Sequence, residues 1–271
     1  MQTEIFAPTP STLSLKTMLA TSSHDRNKHP EDDYVAIAIY VHTAFLHADI
    51  DQDLYAEPPE ESELNEDEVW KLHRALYGYK KAPKLWHQHV VTILEISNFH
   101  SLLTDPSCFR NDDLDINIFI HVDDGLLFCP NIELQRLIEH LSRQIMMRIV
   151  GKLVQQNDQV FFLGRVIKRT VRGYSVEENP KYIRDVIAVL GLEEAKPVAT
   201  PSVKRTPTTE SLAELENERR AVYRTAVGKL MYMCQERADI MYSVKETARK
   251  ITCPTESDEM NVKRIVRAQS A

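Results

Sequence analysis

Glycine is scarce in this chain, at seven of 271 residues, and cysteine is scarcer, at four. No period of 20–50 residues recurs, so a repeat or solenoid architecture is excluded. Cys108, Cys129, Cys234 and Cys253 are far apart, with no CxxC pair, which removes the usual zinc frameworks and leaves a reduced, intracellular compartment as the expectation. No apolar run approaches the ~20 residues of a membrane span, and the N-terminus has no signal-peptide pattern. Positive charge is not in excess either. The net charge of -7 argues against a chain built only to coat nucleic acid, although it leaves room for a local basic groove.

What is present is an ordinary globular composition, 43% hydrophobic and 27% charged, long enough for one sizeable core or two smaller ones. Charge is segregated within it. Asp49 to Glu68 is acidic and without Lys or Arg, and then Lys71, Arg74, Lys80, Lys81 and Lys84 follow with no acid until Glu95. Taken alone, this reads as a solvated loop followed by a solvated helix face.

Residues 1–33 are weakly patterned, and "SSHDRNKHPEDD" reads as a polar loop. "YVAIAIYV" (34–41) reads as a buried strand. Pro83 suits the first turn of a helix whose stripe is Leu85, Val90, Ile93 and Leu94. "DINIFIHV" and "GLLFCP" predict a hairpin joined at Asp-Asp-Gly. Asn131 caps the next helix, in which Leu134, Leu137, Ile138, Leu141, Ile145 and Ile149 keep helical spacing. "QVFFLGRVIKR" and "GYSVEE" predict a second strand pair, and "PKYIRDVIAVLG" a helix closed by Gly191. After a Pro/Thr/Lys linker, helix is expected from about Ala213 to Ile251. This order gives an α+β fold class.

Asp123 and Asp124, between two apolar runs, are the residues with chemical potential. A bare Asp-Asp-Gly is ordinarily a turn. A two-metal phosphoryl-transfer site would need rigid flanking strands and a further carboxylate converging from elsewhere, since its ions sit ~3.5–4 Å apart and take oxygen ligands. The hairpin alone leaves both readings open.

Eight blocks in order decide between them: "YVHTAFLHADIDQDLYAEPPE", "VWKLHRALYGYKKAPKLWHQHV", "DPSCF", "FIHVDDGLLF", "FLGRVIKR", "KYIRDVIAVLGL", "KPVATP" and "YRTAVGKLMYMCQERADIMYSV". Together they resemble the reverse transcriptases of copia-type retrotransposons from about Glu4 to Arg267, with "HVDD" in place of that family's YVDD box. The resemblance implies a right-hand polymerase fold with partial fingers and first palm segment over 1–110, an antiparallel palm sheet with the HVDD hairpin over 111–180, and a helical thumb with the start of a connection over 181–271. It implies an RNA-directed DNA polymerase acting on an RNA or DNA template with primer and on dNTPs, with Mg²⁺ as cofactor. By position, Asp123 and Asp124 would be catalytic and metal-binding. Val41 would offer its backbone carbonyl, Phe45 would lie beneath the incoming sugar, and Lys80 and Lys81 would lie near nucleotide and template. Without the resemblance, Phe45 reads as a core aromatic and the lysines as surface residues. Lys263, Arg264 and Arg267, on the last helix, would face phosphates.

The pattern departs from the family at one decisive position. Its first catalytic aspartate stands where this sequence has Tyr40, and a neutral phenol is a poor Mg²⁺ ligand. Asp49 lies too far along to substitute, and Asp32 and Asp33 would need a shifted register. The chain is also expected to start partway into the fingers and to stop before a ribonuclease H-like segment, as a truncated copy would. The expectation is therefore a reverse transcriptase domain with impaired catalysis, with a nucleic-acid-binding remnant as the alternative.

Overall fold

The computed structural model describes residues 5–28, 34–59, 61–62, 68–203 and 213–269. It divides into two compact units, residues 1–163 with 167–175, and residues 164–166 with 176–271. No helix among the described residues is long and apolar enough to cross a membrane.

The first unit is built on a six-stranded sheet. Its strands are β1 (Tyr34–Val41), β4 (His100–Leu102), β5 (Asp105–Asn111), β6 (Ile116–His121), β7 (Asp124–Pro130) and β8 (Met147–Leu153), in the order β4-β5-β6-β7-β1-β8. Every pairing is antiparallel. β1 is thus a central strand, and its residues are buried on both faces save Tyr40. That is why it reads as a continuous β-branched and small apolar run rather than an alternating one. Val35, Ile37, Ile39 and Val41 face one core, shared with α2 (Ala82–Glu95) and α3 (Asn131–Gln144). At the far end of the strand, the buried guanidinium of Arg169 donates to the carbonyls of Tyr34 and Leu153 and lies over the Tyr174 ring. Burial pushes the thiols of Cys108 and Cys129 up to about 12, so these core cysteines stay protonated and inert.

The structure alters several sequence expectations. α1 (Thr12–Lys28) takes in much of the stretch read as a polar loop, with Leu15, Met18 and Leu19 buried. The buried face of α2 carries Trp86 beside Val90, Ile93 and Leu94, while Leu85 is only partly buried. α3 follows Pro130, which makes no side-chain cap, and ends at Gln144. Of the apolar residues that continued its spacing, Ile145 is the extended cap of the helix and Ile149 enters β8, where the edge of β1 satisfies the backbone. "QVFFLGRVIKR" is two strands, β9 (Gln159–Phe162) and β10 (Arg165–Thr170), split at Gly164 with φ 73°. With β11 (Gly173–Glu178) they form a separate sheet ordered β11-β10-β9. The charge segregation folds back on itself: β2 (Tyr55–Ala56) pairs with β3 (Trp70–Lys71), and Lys71–Asp53, Arg74–Asp49 and Lys81–Asp51 form ion pairs at 2.6, 2.9 and 3.0 Å.

The second unit is helical. α4 (Pro180–Leu190), α5 (Asn217–Met233), α6 (Ala238–Ala248) and α7 (Glu256–Arg267) enclose Val186, Tyr223, Val227, Leu230, Ile240, Val244 and Val262. α4 has the expected proline start and a Gly191 cap at φ 63°, the left-handed geometry that glycine adopts freely. α7 opens with a capping box between Thr255 and Asp258. Its basic residues are largely occupied within the unit: Lys263 pairs with Glu259, Arg264 donates to the Thr200 hydroxyl and Arg267 to the Lys196 carbonyl. Arg264 and Arg267 thus tie the proline linker to the helix. In the same unit Arg165 is buried against Glu236 at 2.9 Å, and Tyr232 and Gln235 also accept from its guanidinium.

Candidate active site

Three local features hold the acidic hairpin. β6 ends at His121 and β7 begins at Asp124, so the loop is Val122 and Asp123, not Asp-Asp-Gly. Gly125 is already inside β7, opposite Ile39, and a Cβ there would come within 2.7 Å of the Ile39 side chain. This glycine serves close strand approach, not the turn. The positive φ falls instead on Val122, at 56°, where a β-branched side chain is strained. Positive φ at the first of two loop residues is the position at which hairpins ordinarily use glycine. Both loop carbonyls are held from outside the hairpin. The Trp86 indole N–H donates to Val122 O at 2.7 Å, and the Val41 amide donates to Asp123 O, also at 2.7 Å.

Tyr40 meets the hairpin as its sequence position requires. It lies opposite Asp124 on one side and Arg148 on the other, so these three side chains share a face of β7, β1 and β8. The Arg148 guanidinium lies 5.4 Å from the Tyr40 ring centroid, and the His42 ring stands edge-on at 5.3 Å. The charge of Asp123 is the first cause raising the Tyr40 phenol above its ordinary pKa, with desolvation second and a hydrogen bond to the same carboxylate third. Tyr40 is therefore a neutral phenol facing the Asp123 charge. Burial, and then the neighbouring Asp123 charge, raise the Asp124 carboxyl, and His121 partly opposes them.

Of the remaining residues singled out from sequence, Val41 reaches the tip through its backbone amide, and Phe45 and Lys81 make contacts elsewhere. Val41 is buried at the end of β1. Phe45 rides on a single 3₁₀ turn, Ala44–His47, and packs on the Tyr77 ring at 4.7 Å. Lys81 precedes α2, with its ammonium on Asp51, which also accepts from the Tyr79 hydroxyl. Lys80 is exposed. Asp49 is engaged by Arg74, while Asp32 and Asp33 lie outside the described residues. Sequence reading missed Trp86 and Arg148. A tryptophan on a buried helix face was a usable signal, because its N–H needs an acceptor; nothing local to "MMRIVGKL" marked Arg148.

Among the described residues no three His, Cys, Asp or Glu side chains converge in a way that could hold a metal ion. Two adjacent carboxylates and a phenol can offer oxygens to one hard cation. They do not fit a bridged pair of divalent ions, because no third anionic oxygen donor joins them among the described residues.

The reverse transcriptase (RNA-dependent DNA polymerase) family model matches residues 2–204. The chain belongs to this family. It is similar to the retrovirus-related Pol polyprotein from transposon TNT 1-94 of Nicotiana tabacum, 30% identical over 278 residues, covering 97% of this chain and 20% of that protein. The Pol polyprotein from transposon RE2 of Arabidopsis thaliana is 29% identical, covering 84% and 15%. The putative transposon Ty5-1 protein YCL074W of Saccharomyces cerevisiae is 28% identical, covering 84% and 73%. The chain thus spans a fifth or less of the two plant polyproteins, and the copia-type resemblance of its motif blocks is borne out. Telomerase from Candida albicans, in complex with a fragment of telomeric RNA, overlaps at a TM-score of 0.40 and 8% identity, covering 98% of this chain and 49% of that one. That overlap is too weak to define the fold.

Proposed function

We propose that this reverse transcriptase domain is organised for RNA-directed DNA synthesis but performs it poorly or not at all. In this reading the six-stranded sheet is the palm, the helical unit the thumb, and the segments before it part of the fingers. Asp123 and Asp124 are the remaining oxygen donors for Mg²⁺. Val41 lines the site through its backbone, and Phe45 sits beneath the sugar of a dNTP as a steric filter against a 2′-hydroxyl. Lys80 and Lys81 lie toward nucleotide and template, inside the cell in cytoplasm or nucleus.

One observation carries the impairment: the strand position opposite Asp124 holds a phenol, Tyr40, where a carboxylate would be needed. It supplies no negative charge for a second divalent ion, and losing such electrostatic stabilisation costs on the order of 10³-fold in rate. Primer extension with Mg²⁺ and dNTPs tests this. Little or no synthesis is expected; robust synthesis that disappears in Asp123→Asn overturns the impairment.

A second reading, nucleic-acid binding without catalysis, draws on Trp70 and Tyr77, exposed at 44% and 53% in the segment that also carries Lys80 and Lys84. Exposed rings interleaved with lysines suit base stacking and phosphate contact. Filter binding that weakens steeply with salt, without extension, supports it. Absence of both binding and extension removes both readings.

A further inference from the structure

The hairpin tip is not self-supporting. Its first loop residue is a β-branched valine at φ 56°, a conformation that such a residue holds only when its surroundings impose it. The ladder ends at the His121–Asp124 pair and leaves both loop carbonyls pointing outside the hairpin. Each is then taken by a different element: Asp123 O by the Val41 amide of β1, and Val122 O by the Trp86 indole of α2. Trp86 is well placed for this because it has little freedom of its own. It is 3% exposed, its ring is flanked by those of His47 and His89 at 6.0 Å each, and α2 is started one turn earlier by Pro83.

The geometry points to Trp86 as a positioning residue for the acidic tip. Its N–H pins Val122 in the strained conformation, and that in turn sets the direction in which the next residue, Asp123, presents its carboxylate. The inference rests on the reading of this tip as the cation-holding end of the site. It goes further by assigning the aim of the carboxylates to a helix outside the hairpin. If Trp86 were only core filling, any aromatic ring of similar size would serve equally well. If it positions the tip, the N–H itself is required.

The test deletes the N–H and keeps the ring. In the full chain, Trp86→Phe is compared with replacement of Trp86 by 3-benzothienylalanine, in which sulfur replaces N–H at nearly unchanged shape. Trp70→Phe is carried throughout so that one indole remains. The first measurement is amide exchange at Val41, which reports the Asp123 carbonyl, against Leu127 in mid-strand. Exchange at Val41 is expected to be about tenfold faster in both variants, the scale of one lost hydrogen bond, with Leu127 unchanged. Equal rates at Val41 overturn the proposal.

The second measurement is Mn²⁺ affinity by electron paramagnetic resonance in a Tyr40→Asp background, with Asp123→Asn as the control. Asp123-dependent binding that weakens about tenfold when the indole N–H is removed supports the proposal. Binding that stays unchanged refutes it. If Tyr40→Asp shows no Asp123-dependent binding, the reading of the tip as a cation site fails, and Val41 exchange alone decides the role of Trp86. Should Trp86→Phe not fold, the benzothienyl variant carries both measurements.

Discussion

Replacing Tyr40 by aspartate puts a third carboxylate directly opposite Asp124 and beside Asp123. Side chains paired across antiparallel strands have Cβ atoms about 4.5–5.5 Å apart. At ~5 Å and an effective dielectric near 20, one carboxylate pair repels by about 3 kcal/mol before screening. Partial exposure of Tyr40 and both aspartates, and the opposing Arg148 guanidinium on the other side of position 40, leave about 1–2 kcal/mol of the repulsion from the two aspartates in solution. Asp124, already raised by burial and by Asp123, should rise further. For a domain of this size each kcal/mol corresponds to about 2–4 °C, so metal-free Tyr40→Asp should melt roughly 2–8 °C lower at neutral pH. A divalent cation at 100 times its Kd returns about 2.7 kcal/mol and should restore that loss. The assay is a thermal melt of wild type and variant, with EDTA and then across a Mg²⁺ and Mn²⁺ titration. The wild-type melt should move by no more than about 1 °C. Wild-type protein stabilised as much as the variant would show that the phenol does not disable the site. A variant that stays destabilised at saturating cation would show that the three positions do not converge.

Three further outcomes are expected. Val122→Gly relieves the positive φ and should stabilise the first unit by about 0.5–1 kcal/mol in urea denaturation, since left-handed strain exceeds the glycine entropy cost; a loss of stability would mean Val122 contributes more by packing than it costs in strain. Arg165→Met leaves Glu236 buried without its cation and should cost about 3–5 kcal/mol, with Arg165→Met/Glu236→Leu recovering much of it; a double variant as unstable as the single one refutes the ion-pair account. The hydrogen bond from Arg219 is the first cause holding Glu259 below the ordinary glutamate range. A depressed folded-state value means stability is present above about pH 4.3 and is lost as pH falls through the folded value. Arg219→Gln should therefore lower stability slightly at pH 7 and flatten the acid limb of the stability–pH curve, the effect staying small because Arg219 is half exposed.

What the sequence determined by itself was local or carried by motif order. β1 was legible because a central strand buried on both faces needs an unbroken run such as "YVAIAIYV". The α4 boundaries were legible because proline and glycine have few other uses at those two points. What only the tertiary structure decided depends on neighbours distant in the chain. The apolar spacing of 145–149 fits a helix or a strand equally well, and β8 formed because β1 offered an open edge. Gly125 looked like a turn residue and proved to be a contact residue, since Ile39 lies against it from another strand. The charge segregation became internal ion pairing once β2 and β3 met. Trp86 acquired its acceptor only when α2 docked beside the hairpin, 36 residues further along the chain. Backbone preference and periodicity act over a few residues, whereas register, strain and hydrogen-bond partners are fixed only when separate segments pack.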